Sequence, residues 1–383
     1  MPSHRQSQHA NSNSQAVPSK DMPPFPENFA PIFFQNQFRT KIELPTKSKY
    51  PNVQGQCAII TGSNTGLGFE AAHQLLTLGL SHLIMGVRST TRGEAAANKL
   101  RAAANPSAKI DVWHLDMESY DSIQAFARNC ADLATTTRID MVILNAGLAR
   151  LKFATTPSTN HEQTIQINHI STLLLTILLL PILSSSKHKH KLAVAGGNGH
   201  SQHQRPPVLT LVNSLTAHLA KFPNNAHAQR PLLPSFDDPT TYDAAEQYGV
   251  SKLLNQLATV NLTELISPDD VIINMVDPGL TKGTGLARDA KGIYGVVVKL
   301  LLSIAGRPVN RGAATYVDAV LAHGKESHGC FLMNCKIAPL ARWYYTDGHT
   351  LTDVIWTETM QELGFAGVEG IIDLMRASTS GIS

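Results

Sequence analysis

The sequence predicts an α/β fold of the Rossmann type: a doubly wound parallel sheet in a single domain, preceded by a disordered N-terminal arm. Three observations carry this expectation. A strand, a glycine turn and a helix follow one another from Cys57 to Leu76. Short apolar runs then alternate with helical stretches, as a parallel sheet with crossover helices requires. Finally, 43% apolar content over 383 residues is enough to bury one such core.

Residues 1–30 are rich in Ser, Gln, Asn and Pro, the composition of a disordered arm. Residues 31–53 form a lead-in segment whose Phe33, Phe34 and Phe38 are suited to docking on the core. The remainder, 54–383, reads as the folded domain. Strands are expected near 57–61, 82–86, 109–115, 139–144, 208–213, 271–276 and 328–332. Helices are expected notably over 66–79, 119–134, 160–183, 243–266 and 309–323. A His- and Lys-rich stretch within 184–206 interrupts this pattern and reads as a flexible, solvated insertion. Its interleaved lysines repel a cation and its spacing matches no tetrahedral site, so no metal is expected.

The formal net charge is +3, from 32 basic and 29 acidic residues. Six basic and three acidic residues in the first fifty account for all of it, so no nucleic-acid surface is expected. The four cysteines form no CxxC pair and read as reduced thiols, with a Cys330–Cys335 bridge disfavoured. The first twenty-odd residues lack an apolar signal core, which points to a cytoplasmic protein. The apolar run Leu173–Leu183 is shorter than the ~20 residues of a membrane span. It reads as a core helix between the sheet and a subunit partner, which allows a homodimer.

The chemistry is carried by a few short motifs. In Thr61-Gly62-Ser63-Asn64-Thr65-Gly66-Leu67-Gly68, glycines admit close backbone approach and a helix N-terminus offers free N–H groups to a pyrophosphate. Two later strands end in Asn145-Ala146-Gly147 and Pro278-Gly279, at the sheet edge where open α/β folds bind ligands. Tyr248 and Lys252 stand four residues apart and share a helix face. An ammonium beside a phenol favours the phenolate, giving an acid–base group usable near neutral pH.

Together, the TGxxxGxG, Asn-Ala-Gly, Tyr-x-x-x-Lys and Pro-Gly motifs resemble the short-chain dehydrogenase/reductase family in order and spacing, over roughly residues 54–335. The sequence around Ser327-His328-Gly329 and Trp356-Thr357-Glu358-Thr359 looks like a branch common in filamentous fungi, where many members tailor secondary metabolites. The resemblance implies a catalytic set of Ser214, Tyr248, Lys252 and Asn168. Ser214 stands in Asn213-Ser214 where the family usually has Ser-Ser, which leaves Thr216 as a rival.

The resemblance also implies a nicotinamide cofactor contacted by Gly62, Thr65, Gly66, Leu67, Gly68, Asn145, Ala146, Tyr248, Lys252, Pro278 and Gly279. Asp116 matches the family's adenine contact. Thr284 fits the threonine that touches the nicotinamide amide better than Thr281 does. No carboxylate follows the second strand near Val87, whereas Arg88 suits a 2′-phosphate, so NADP(H) is favoured. The expected substrate is a small carbonyl compound or its alcohol. A non-catalytic dinucleotide sensor on the same fold is the alternative, opposed by retention of Ser214, Tyr248 and Lys252. A sugar-nucleotide epimerase or dehydratase uses a similar Tyr–Lys pair but a different glycine spacing.

Overall fold

A computed structural model describes residues 16–104, 107–194, 205–222, 231–283, 303–346 and 350–380, with 187–194 and 378–380 described by their backbone alone. Eight strands form one sheet in the order β3-β2-β1-β4-β5-β6-β7-β8. They are β1 Cys57–Thr61, β2 His82–Val87, β3 Lys109–His114, β4 Met141–Leu144, β5 Val208–Val212, β6 Ile272–Asp277, β7 Phe331–Met333 and β8 Lys336–Ala338. All neighbouring strands run parallel except β7 and β8. The doubly wound sheet is as expected. Strands β1, β4 and β6 are buried along their whole length, which explains their continuous apolar runs.

The antiparallel β8 has no counterpart in the sequence reading, and β7 begins three residues later than expected. Both strands have only three residues, too few for a periodic signal. Their connection is a two-residue turn with Asn334 and Cys335 both at positive φ, the geometry that matches strand twist in a tight hairpin.

Helices α1 Gly66–Leu78, α2 Thr90–Ala103, α3 Tyr120–Leu133, α4 Thr172–Val194, α5 Gln247–Leu265, α6 Val309–Leu321, α7 Thr350–Glu362 and α8 Val368–Ser380 flank the sheet. A π-helical turn, Gln166–Ser171, leads directly into α4. Helix α4 continues to Val194, so the insertion expected from residue 184 starts as helix; its Lys, Leu and Ala residues favour that extension. Residues 195–204 lie outside the described residues.

By length and hydropathy Gln163–Ser186 could cross a membrane, but 89% of its apolar window is buried inside the molecule. The cover expected from a second subunit comes from this chain, because α3 and α8 pack against α4.

Residues 16–30 pack on the domain, against the expectation of disorder there, while residues 1–15 lie outside the described residues. The arm's polar composition hides specific anchors. Ser19 is fully buried and accepts from the Phe331 N–H at 2.9 Å, while Phe25 and Phe29 pack around His218. The cysteines are free thiols.

The stretch between β5 and α5 is longer than a simple crossover needs, and α7 ties it down. The Glu358 carboxylate accepts the N–H groups of Leu232 and Leu233 at 2.8 and 2.7 Å. Asp237 accepts the Glu162 N–H at 2.7 Å and meets His161 Nδ1 at 2.8 Å. Glu362 faces the other ring nitrogen at 3.3 Å and accepts the Tyr120 hydroxyl at 2.8 Å. Burial opposes a charge on His161, but the bonds to Asp237 and Glu362 outweigh it and raise its pKa to about 9.

A raised histidine stabilises the fold fully below its unfolded value of about 6.5, and that contribution fades as pH rises through about 9. Wild type should therefore melt above His161→Gln at pH 6, with the gap narrowing steadily towards pH 9.5. A gap independent of pH in calorimetric scans would show that the ion pairs contribute nothing.

Candidate active site

The sheet reverses direction between β1 and β4, and the strand ends on either side of that switch carry the motifs. At the end of β1, Gly62 and Gly66 take positive φ values of 65° and 61°. A Cβ on Gly68 would lie 2.5 Å from Asn145 Nδ2, so only glycine fits there. The amide of Asn145 explains the tightness, because Nδ2 donates to the carbonyls of Thr61 at 2.9 Å and Gly62 at 3.3 Å. Ala146 N–H donates to Thr61 Oγ1 at 2.9 Å. Asn145 and Ala146 thus brace the glycine turn from the neighbouring strand.

Helix α1 opens at Thr65 with no side-chain cap, whereas Ser89 and Ser119 cap α2 and α3. Its first N–H groups are left for an anion, and Leu67 sits in that first turn. The donor set therefore fits a dinucleotide pyrophosphate.

Arg88 follows β2 and Asp116 follows β3 at the same sheet edge. Arg88 is exposed and pairs with Glu118 at 2.6 Å. The Asp116 carboxylate accepts the Glu118 N–H at 3.1 Å. Glu118 as a rival for the guanidinium was not foreseen; the two meet only because β2 and β3 lie side by side.

Ser214, Tyr248, Lys252 and Asn168 come together at the ends of β4 and β5. Ser214 Oγ accepts from Thr216 N–H at 3.2 Å and Thr216 Oγ1 at 2.9 Å. That leaves its own proton uncommitted, beside the Tyr248 phenol. Thr216 is thus the support of Ser214 rather than its replacement. Asn213, in place of the expected serine, is buried and bonds in two directions: Oδ1 accepts the Ser214 N–H at 2.8 Å, and Nδ2 donates to the Lys252 carbonyl at 3.0 Å.

The electrostatics differ from those inferred from the Tyr–Lys spacing. Lys252 Nζ donates to the Val212 carbonyl at 2.7 Å and lies 5.9 Å from the Tyr248 ring centroid. Burial pushes Lys252 down to about 8. Tyr248 keeps partial access to the cleft, yet the protein packed around it raises its pKa first by burial and then by the Asp277 charge. The neighbouring Ser214 hydroxyl acts the other way. Loss of solvation thus sets the direction of the shift.

Asn168 sits on the π-helical turn, 1% exposed. It accepts the Leu148 N–H at 3.0 Å and donates to the Leu148 carbonyl at 2.8 Å and Ser251 Oγ at 3.0 Å. A single amide thereby ties the loop after β4 to α5. Such π turns are frequent at functional sites because they redirect one side chain.

The buried Glu162 was missed: it caps Thr164 and Ile165 at 2.9 and 3.0 Å and accepts Gln247 Nε2 at 2.9 Å, next to Tyr248. A carboxylate three residues ahead of an apolar helix was the available signal.

Pro278 and Gly279 follow β6. Gly279 has a φ of 70°, and a Cβ there would strike the Arg307 guanidinium at 2.6 Å. Thr284 lies outside the described residues; Thr281 is buried and its hydroxyl donates to the Gly279 carbonyl at 3.0 Å.

Comparison with known proteins agrees with this fold. A family model described as short chain dehydrogenase matches residues 56–203. The short chain dehydrogenase/reductase mfmJ of Annulohypoxylon moriforme is 49% identical over 364 residues, covering 94% of this chain and 100% of that protein. The short chain dehydrogenase virL of Hypocrea virens is 41% identical over 347 residues, covering 90% and 95%. Among solved structures, carbonyl reductase Sniffer of Drosophila melanogaster superposes with a TM-score of 0.52 at 17% identity, covering 75% of this chain and 99% of that one. That last likeness shows the fold alone. Near-full-length identity to the fungal relatives, on top of the shared motifs, establishes that this chain belongs to the short-chain dehydrogenase/reductase family.

Proposed function

We propose that the chain is an NADP(H)-dependent oxidoreductase that interconverts a ketone or aldehyde with its alcohol, acting on a metabolite of fungal secondary metabolism. The observation that carries this reading is the gathering of Ser214, Tyr248 and buried Lys252, with Lys252 Nζ 5.9 Å from the Tyr248 ring centroid and the Ser214 hydroxyl beside the phenol. The hydride is what the nicotinamide supplies when bound; the proton and the charge are supplied by this chain.

Burial keeps the Tyr248 phenol protonated, ready to donate to a carbonyl oxygen. Ser214, oriented by Asn213 and Thr216, offers its one proton to that oxygen. With a pKa of about 8, Lys252 is mostly charged at neutral pH and offsets the developing anion. Asn168 holds the loop and α5 in register for this transfer. A dinucleotide sensor would have no use for a hydroxyl, a phenol and a buried ammonium gathered at one place, which favours catalysis.

Arg88 is the residue we assign to the 2′-phosphate. The Arg88→Ala variant should lose charge-assisted bonds worth about 1.5–3 kcal/mol, raising the NADPH dissociation constant about ten- to a hundredfold. NADH affinity should barely change. Glu118 must release the guanidinium first, so the lower end is expected. Titrating both cofactors against both proteins, with a panel of ketones in the presence of wild type, tests the reading. An equal loss for NADH and NADPH would reduce Arg88 to a structural role, and no NADPH binding by wild type would overturn the proposal.

A further inference from the structure

The loop after β6 is gripped from two sides by segments far away in sequence. From one side comes the lead-in, where a short helix Ala30–Phe34 passes into a π-helical turn, Gln35–Arg39. Gln37, only 9% exposed, donates from Nε2 to the Leu280 carbonyl at 2.7 Å and accepts the Leu280 N–H on Oε1 at 3.2 Å. A glutamine that satisfies both backbone groups of one residue acts as an extra piece of strand.

From the other side comes the approach to α6. Arg307 N–H donates to the same Leu280 carbonyl at 2.8 Å, and the Lys282 N–H donates to the Arg307 carbonyl at 3.1 Å. The Arg307 guanidinium packs against Gly279 and donates to the Asn36 carbonyl at 3.0 Å and to Asn334 Oδ1 at 3.1 Å. Beyond the loop, a Cβ on Gly312 would meet Thr281 Oγ1 at 2.6 Å and Leu67 Cδ2 at 2.8 Å. The loop, α6 and the first turn of α1 therefore leave no slack between them.

We propose that Gln37 is a positioning residue for the nicotinamide end of the cofactor site, holding the Pro278–Thr281 wall in place from the lead-in segment. This rests on the reading that the wall contacts the nicotinamide. A side-chain clamp is needed there because Leu280 stands past the last β6–β7 pair, so the ladder no longer holds its N–H group. The lead-in is thus a working part of the site, held by the buried Asn36 and Gln37 and not by Phe34 and Phe38, which are exposed against the expectation that they dock on the core.

The test uses Gln37→Met, which keeps the length of the side chain and removes both bonds. Two net hydrogen bonds lost at the wall should weaken NADPH binding about tenfold in calorimetric titration. Binding of 2′-phosphoadenosine 5′-diphosphate, the adenine half alone, should stay unchanged. Equal loss of both ligands, or loss of neither, would overturn the clamp. If Gln37→Met does not fold, amide exchange on the wild-type chain decides the matter: slow exchange at the Leu280 N–H supports the clamp and rapid exchange overturns it. Wild type failing to bind NADPH would instead bring down the cofactor reading, while the exchange measurement still reports on the clamp.

Discussion

Replacing Tyr248 with Phe is expected to cut turnover by at least about 10²–10⁴-fold, the usual cost of losing a positioned general acid. The ring remains, so packing around α5 is preserved and the protein should melt near its wild-type temperature. The glycine turn, braced by Asn145, does not involve the phenol, so NADPH should still bind. Ser214 would keep its proton, but it cannot substitute because its ordinary acidity is far too weak. Single-turnover assays with NADPH titrations in parallel check both halves. Full activity in this variant would remove Tyr248 from the mechanism.

Asn168→Ala should act chiefly on stability. It strands the buried N–H and carbonyl of Leu148 and removes the bond to Ser251. Each unsatisfied buried backbone group costs about 1–3 kcal/mol, so a loss of about 2–6 kcal/mol is expected from the two together. Activity should fall as well, because the loop after β4 and α5 lose their common tie. Equilibrium denaturation gives the first number, and kcat measured well below the new midpoint gives the second. A variant as stable as wild type would mean that Leu148 finds other partners and that Asn168 holds nothing.

What the sequence made legible is what local pattern encodes. Strands β1, β4 and β6 are buried throughout and announce themselves as continuous apolar runs. The glycine turn and the Tyr248–Lys252 pair are each a few residues long, and their family spacing is distinctive. Other parts depend on contacts across the chain. Glu358 was visible as part of a motif, but its target at Leu232 lies 126 residues away. Gln37 and Leu280 are 243 residues apart, and no local signal marks either. The polar arm from residue 16 was misread for the same reason, since its anchors are individual side chains meeting β7 and His218. The direction of the Tyr248 pKa shift was misjudged because spacing says nothing of solvation.

The grip of Gln37 on Leu280 and the cap that Glu358 sets on Leu232 also bear on how the enzyme comes into being. One comes from near the start of the chain and the other from near its end. Synthesis runs from the N-terminus, and folding begins on the part already made. The sheet and the glycine turn can thus assemble while translation is under way, but the loop between β5 and α5 stays uncapped until α7 is synthesised. Turnover should accordingly require the chain to extend through Glu358, and a chain stalled before it should hold a dinucleotide without turning it over.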